Sequence, residues 1–339
     1  MFFCDPFGHT QPENLLNYGS DTVSENDYVF FHDQEPIQIQ AHKLLFEKVV
    51  RSNQDLGYPP GHVIVSERGQ CLTQLCDIYG WQPHYYFFHG WACLDWFRGY
   101  NRSFLFEPPT VDRRPSKTFM SPNRIIGGQR DHRVLFLYHC ARLGLLHNHI
   151  SAPALCPAEN VTIDQVAASY VSRYPDIQQV VRQIPLPRCF QGETQQLMTS
   201  CWLGNFEEAQ DSLVYVPTET VYTGSRQHLT EKTFKAIALG MPFIMVAPAH
   251  SLEYLRSYGF RTFHSIWDES YDQENDDFLR LEKVAQLLHD IDNLSLHERH
   301  VLAHYAKEIC VHNWNHFYHG TFENTLMQEL ELMLDCLRI

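Results

Sequence analysis

The sequence lacks most of the motifs that announce a cofactor or a metal. Its 10 cysteines form no CxxC, and a zinc ribbon or finger needs two closely spaced pairs. No GxGxxG follows a strand-like run and no GxxxxGK[ST] occurs, so dinucleotide binding and P-loop chemistry lack support. HExxH and GxSxG are also missing. The one DxD, Asp290-Ile-Asp292, falls in a helical pattern, whereas metal-binding carboxylate pairs usually sit on a loop or strand end. The longest apolar run, 236–249, is interrupted by Gly240 and Pro242 and is too short to span a bilayer. The first residues, MFFCDPFGH, carry neither a basic region nor an apolar stretch long enough for a signal peptide. These absences predict a soluble, cytoplasmic chain with reduced thiols and no membrane span. Positive charge is scarce as well: 26 Lys+Arg stand against 40 Asp+Glu, a formal net charge of -14. That balance disfavours a dedicated nucleic-acid binder, which needs clustered cations. The 20 histidines are enough to offset the deficit, so the charge is expected to fall steeply below neutral pH.

Apolar and aromatic residues are plentiful, at 44% and 13%, which supports a buried core and excludes a disordered chain. The 339 residues are about twice a typical domain, which predicts two. Short β-branched and aromatic runs at 27–32, 62–66 and 84–88 alternate with helical spacing at 38–53 and 72–79, the pattern of a parallel α/β layer. A proline-rich stretch at 107–116 reads as a linker. A second series follows, with strands at 117–121, 149–150, 213–216, 242–247 and 261–263 and helices at 131–146, 164–173 and 193–209. Thr230 is placed to cap a helix that Gly240 ends, and Ser251 to cap the next, closed by Gly259. Helical patterns at 278–292, 297–312 and 320–337 complete the chain. The predicted fold is α/β, with two Rossmann-like domains facing a cleft. An acceptor-side domain would span 1–115 and a donor-binding domain 116–300. C-terminal helices at 301–339 would pack against them, with a return to the first domain as one option.

The most informative stretch is Glu219-Thr-Val-Tyr222 followed by Ser225-Arg226-Gln-His-Leu-Thr230-Glu231-Lys232. A helix opening at Thr230 presents N–H groups and partial positive charge, a ready phosphate site. Lys232 and Arg226 would add formal charge beside a diphosphate, and the Glu231 carboxylate could accept hydrogen bonds from the vicinal hydroxyls of a ribose. The plainer alternative is that Glu231 only complements the helix dipole and Lys232 is a solvated charge. Residues 98–133 hold eight Arg and Lys against three acids, including Arg124 and Arg133. They suit either an anion pocket or a solvated surface.

Ser225 to Gly240, SRQHLTEKTFKAIALG, resembles the donor-binding signature of fucosyltransferase-like, inverting glycosyltransferases of the GT-B fold. Residues 215–275 resemble a wider group of phage and bacterial glycosyltransferases. A weaker likeness at 117–151 takes in Lys117, Asn123, Arg124 and Arg133. The resemblance implies Glu231 on the ribose and Lys232 with Arg226 on the diphosphate. Asn123, Arg124, Arg133, Glu219, Tyr222, Ser225 and Thr230 would complete the donor site. It also implies a nucleotide-diphosphate sugar as co-substrate, no strict need for a metal, and no bound cofactor.

Inverting transfer needs a base for the acceptor hydroxyl. His32-Asp33-Gln34-Glu35 follows the first clear strand, so Asp33 and Glu35 are the first candidates and His32 the next. A helix-capping turn is the competing reading. His89 and Trp91 follow the third strand at the equivalent edge and are candidate acceptor-binding residues; a core tryptophan is equally compatible. The expected activity is sugar transfer from the nucleotide donor to a hydroxyl acceptor, either a glycan or a hydroxylated base in phage DNA. The alternative is a non-catalytic nucleotide- or sugar-binding protein on the same fold.

Overall fold

The computed structural model describes residues 2–4, 29–32, 47, 50, 51, 54, 55, 57, 60–98, 113–190 and 202–337. The chain divides into two compact units. The first comprises Met1–Ala92, Ser225–His228 and Glu323–Ile339; the second comprises Cys93–Gly224 and Leu229–Phe322. The first unit's leading segment ends at residue 92; residues 107–112 of the proline-rich stretch lie outside the described residues. Residues from Glu323 onward group with the first unit.

The first unit carries a parallel sheet in the order β1 (Phe2–Cys4), β2 (Val29–His32), β3 (His62–Val65) and β5 (Gln82–Tyr85). Helix α1 (Gln70–Tyr79) connects β3 to β5 and ends on Gly80, whose φ of 69° is a left-handed conformation that a side chain would strain. Val63 and Val65 of β3 point to one side, where they pack with Val50, Leu72, Cys76 and Trp81. Ile64 points to the other and packs with Tyr86 and Met333. Alternation along a strand covered on both faces explains the continuous apolar run Val63–Val65. Met333 belongs to the last helix, α11 (Thr321–Leu337). A two-stranded antiparallel ribbon joins β4 (Arg68–Gly69) to β9 (Arg226–Gln227). The strand expected at 84–88 starts and ends two residues or more earlier, because Phe88 opens helix α2 (Phe88–Arg98).

The second unit is built on a parallel sheet ordered β7 (His149–Ile150), β6 (Lys117–Ser121) and β8 (Ser212–Tyr215). Residues 242–246 extend it beside β8 through parallel bridges at Tyr215–Phe243 and Thr218–Val246. Helices α3 (His132–Arg142), α4 (Ile163–Ala167), α5 (Ile177–Arg182) and α6 (Phe206–Asp211) lie along the chain between these strands. Helices α7 (Glu231–Ala238), α8 (Ser251–Ser257), α9 (Asp277–Asp292) and α10 (Leu296–Tyr318) follow. Phe234 of α7 is fully buried and stacks on Phe322, with ring centroids 5.5 Å apart, and Phe317 and Phe260 complete the cluster. Among the described residues no helix is long and apolar enough to cross a membrane.

Two local expectations need correction. Ser251 is the first residue of α8 and not its cap; its hydroxyl donates to the Pro248 carbonyl. The N–H groups of Leu252 and Glu253 donate instead to the Asp272 carboxylate, at 3.0 and 3.4 Å, a cap supplied from 20 residues away. Residues 261–263 form no strand. The buried Asn313 side chain takes both the N–H and the carbonyl of Arg261, each at 2.8 Å, and leaves neither for a ladder.

Candidate functional site

At the carboxyl edge of the second unit's sheet, β8 leads into Thr218 and Glu219. The Glu219 N–H donates to the Val246 carbonyl at 2.9 Å, which fixes the loop against the neighbouring extended segment. The Glu219 side chain is wholly buried. Its carboxylate accepts from the Thr230 N–H at 3.2 Å, the Thr233 hydroxyl at 2.6 Å and the Thr230 hydroxyl. A carboxylate at a helix N-terminus is favoured by the helix dipole and by charge-assisted bonds. Glu219 therefore anchors the start of α7. Thr230 caps the helix, its hydroxyl oxygen accepting from the Lys232 N–H at 3.4 Å.

Lys232 and Glu231 lie on that first turn. The Lys232 ammonium donates to the Glu231 carboxylate at 2.7 Å, the Thr220 hydroxyl at 3.1 Å and the Thr230 hydroxyl at 3.2 Å. The Lys232 side chain keeps 20% of its surface exposed, and that of Glu231 11%. A carboxylate and an ammonium are thus held side by side, partly wet, at the positive end of a helix. The pair offers an acceptor for hydroxyl groups and a cation for phosphate oxygens.

Asn123 and Arg133 join this assembly from α3 and the loop after β6. The Asn123 carbonyl oxygen accepts from the Thr218 hydroxyl at 2.5 Å, while its amide donates to Ser121. Arg133 is buried and donates to the carbonyls of Ile125 at 2.7 Å, Thr218 at 2.8 Å and Glu219 at 3.4 Å. Burial, reinforced by neighbouring Arg130 and opposed by Glu231 and Glu219, pushes its pKa down to about 9. Both side chains brace the loops, Arg133 through its two terminal nitrogens. Arg124, next to Asn123, is half-buried.

Tyr222 is buried. Its hydroxyl donates to the Asp277 carbonyl at 2.6 Å, its ring stacks on His132 at 4.7 Å, and the Arg280 guanidinium lies 4.6 Å over its face. Arg280 escaped the sequence reading. Fully buried, it donates to the carbonyls of Ala247, Glu274 and Tyr222 and to the Asp277 carboxylate. Its signal was an arginine beside the apolar positions Leu281, Val284 and Leu288 of a predicted helix, a place where a guanidinium needs several acceptors.

Ser225 and Arg226 belong to the first unit, where Ser225 is exposed. The Arg226 guanidinium grips Glu67 bidentately, Nε to Oε1 at 2.6 Å and an Nη to Oε2 at 2.7 Å, with Glu67 1% exposed. Glu67 was also missed, although it is an acid directly after an apolar strand, the signal that singled out Asp33 and Glu35. His89 is buried; its N–H donates to the Ser66 hydroxyl at 3.5 Å and its ring meets His228 edge-on at 5.5 Å. The Trp91 indole N–H donates to the Tyr86 hydroxyl, and the ring packs with Phe88, Leu330 and Leu334 on the Ile64 cluster. His32 ends β2 opposite Val65. Asp33 and Glu35 lie outside the described residues.

Asp292 of the DxD accepts from the Thr118 hydroxyl and the Asn148 amide, which ties α9 to β6. Among the described residues no three His, Cys, Asp or Glu side chains converge as metal ligands. Compared with protein-family models, with curated proteins and with solved structures, the chain matches none.

Proposed function

We propose that this chain is a glycosyltransferase of the GT-B, inverting type that takes a sugar from a nucleotide diphosphate to a hydroxyl acceptor. The observation that carries the reading is the Glu231–Lys232 pair on the capped first turn of α7, beyond the carboxyl ends of parallel strands, where ligands of open α/β sheets bind. In this reading Lys232 and the helix N-terminus neutralise the diphosphate, and Glu231 holds the ribose. The acceptor oxygen bonds to the anomeric carbon as the carbon–oxygen bond to the diphosphate breaks. The electron pair leaves with the nucleoside diphosphate. The acceptor proton passes to a base in the first unit, for which Asp33, Glu35 and His32 remain the candidates. Metal independence rests on the resemblance alone.

The test is thermal stabilisation by UDP, GDP, CMP and their sugars. At least one is expected to raise the melting temperature, since a ligand bound only by the folded state stabilises it by mass action. Lys232→Ala and Glu231→Ala are expected to abolish that rise. No response to any nucleotide would sink the donor site. Transfer lost in Asp33→Asn or Glu35→Gln with nucleotide binding retained separates the enzyme from a non-catalytic binder.

A further inference from the structure

The second unit holds a cavity of about 460 Å³ that the proposed reaction does not use. It lies past the C-terminal end of α8, between the 260–265 turn and α10. None of its lining residues belongs to the turn that carries Glu231 and Lys232 or to the loops that brace it. Its size is that of a small-molecule site.

Arg256, Arg261 and His264 line it, with the Thr262 and Ser265 hydroxyls between them. Neither guanidinium is consumed by the protein. Arg256 donates once, to the Thr262 hydroxyl at 2.9 Å, and stands 3.5 Å from the Glu269 carboxylate. Arg261 stands 3.6 Å from Glu308, whose side chain is 88% exposed. The exposed Arg261–Glu308 pair is weak and easily displaced, and the Arg256–Glu269 pair, though Glu269 is buried, engages one nitrogen of that guanidinium at long range. A guanidinium has five donors in a fixed fork, so most of those on both arginines remain for a ligand.

The rim is fixed in advance. Asn313 holds both main-chain polar groups of Arg261, as described above. Gly259, at φ 90°, precedes the turn, and the His316 ring lies 2.9 Å from where a Cβ would be. Preorganisation of this kind reduces the cost of ordering a binding site. Across the cavity, Tyr305 is 65% exposed, an uncovered aromatic face beside two arginines. Guanidinium forks and hydroxyls suit a phosphate; an aromatic face suits the C–H surface of a ring.

We propose that this cavity binds a phosphate monoester of hexose-phosphate size, its phosphate between Arg256 and Arg261 and its ring against Tyr305. Titration calorimetry on the full chain tests it, with glucose 6-phosphate and inorganic phosphate as probes. Saturable binding of glucose 6-phosphate is expected, about tenfold or more tighter than inorganic phosphate. Arg256→Gln and Arg261→Gln should each weaken it about tenfold or more, as loss of a charge-assisted fork predicts. Tyr305→Ala should weaken glucose 6-phosphate and leave inorganic phosphate unchanged. Lys232→Ala should leave the binding intact, which keeps this site's fate separate from that of the nucleotide site. The Arg261 and Tyr305 side chains are exposed, so those variants should melt like the parent chain; Arg256→Gln takes the cation from the buried Glu269 carboxylate, so its binding is measured well below its own melting midpoint. Absence of saturable binding, undiminished binding in the Arg256→Gln/Arg261→Gln double variant, or equal affinity for both probes would each overturn the proposal.

Discussion

Glu219 shows how one side chain can organise a site without touching a ligand. Its buried carboxylate receives three donors from Thr230 and Thr233, so removing it strands all three. Leaving buried donors unsatisfied costs about 1–3 kcal/mol each, more where a charge was involved. Glu219→Leu should therefore lower unfolding free energy by roughly 3 kcal/mol or more, read from urea denaturation, and Glu219→Gln, which keeps one acceptor oxygen, by less. Equal losses would show that volume and not hydrogen bonding matters there. The Glu67–Arg226 pair makes a related case in the first unit. Glu67→Ala leaves a guanidinium that is 17% exposed without its bidentate partner. Breaking such a pair from one side costs about 3–5 kcal/mol, whereas an apolar pair of similar volume is often neutral. Glu67→Ala should thus be far more damaging than the double change Glu67→Leu/Arg226→Met, a comparison that denaturant midpoints can make.

At the scale of elements, the capping residues divide into those the sequence declares and those it hides. Thr230 caps α7 from one residue before its start, and Gly240 follows its end at φ 62°. Both were legible because capping and the left-handed terminus select residue types locally. Thr230→Ala should cost about 1–2 kcal/mol, and more than an ordinary cap because its hydroxyl also serves Glu219; Thr230→Ser should restore most of it. The cap of α8 was illegible, since Asp272 reaches it from a different segment and no local pattern points there. The same holds for 261–263, where a short β-prone run is denied a ladder by a side chain 52 residues away. That Thr230, Glu231 and Lys232 come together was readable because they share one helical turn. The Arg226–Glu67 pairing was not, because the two residues are 159 positions apart and meet through a two-residue ribbon. Gly259 offers a further test at this scale. Gly259→Ala combines a left-handed backbone with a clash against a His316 ring that is itself bonded to the Tyr258 carbonyl at 2.7 Å. A drop in stability of about 1–3 kcal/mol is expected.

For the whole molecule, the histidines behave differently from what composition implies. Of the 20, those in the interior cannot contribute to the charge swing expected near neutrality. Burial holds His132 well below its ordinary pKa, helped by Arg133, and brings His139 down to about 4. Burial also lowers His316, with His312 adding to it, and His84, with His62 adding to it. In the unfolded chain each returns to about 6.5. Between that value and the folded one, the unfolded state binds more protons than the folded state, so stability rises with pH. The stabilisation is complete above about pH 6.5 and is lost as acid carries the pH down toward the folded values, at up to about 1.4 kcal/mol per pH unit for each group. Asp131, Glu269 and Asp272 work in the opposite sense, since burial raises them and the folded state takes their protons first. Their window opens upward from the ordinary carboxylate values and that of the histidines downward from about 6.5, so the histidines set the slope just below neutrality. Urea midpoints should accordingly fall from pH 7.5 to pH 5, and His139→Leu should flatten that fall. A midpoint that holds steady over this range would mean that the buried imidazoles gain protons without unfolding.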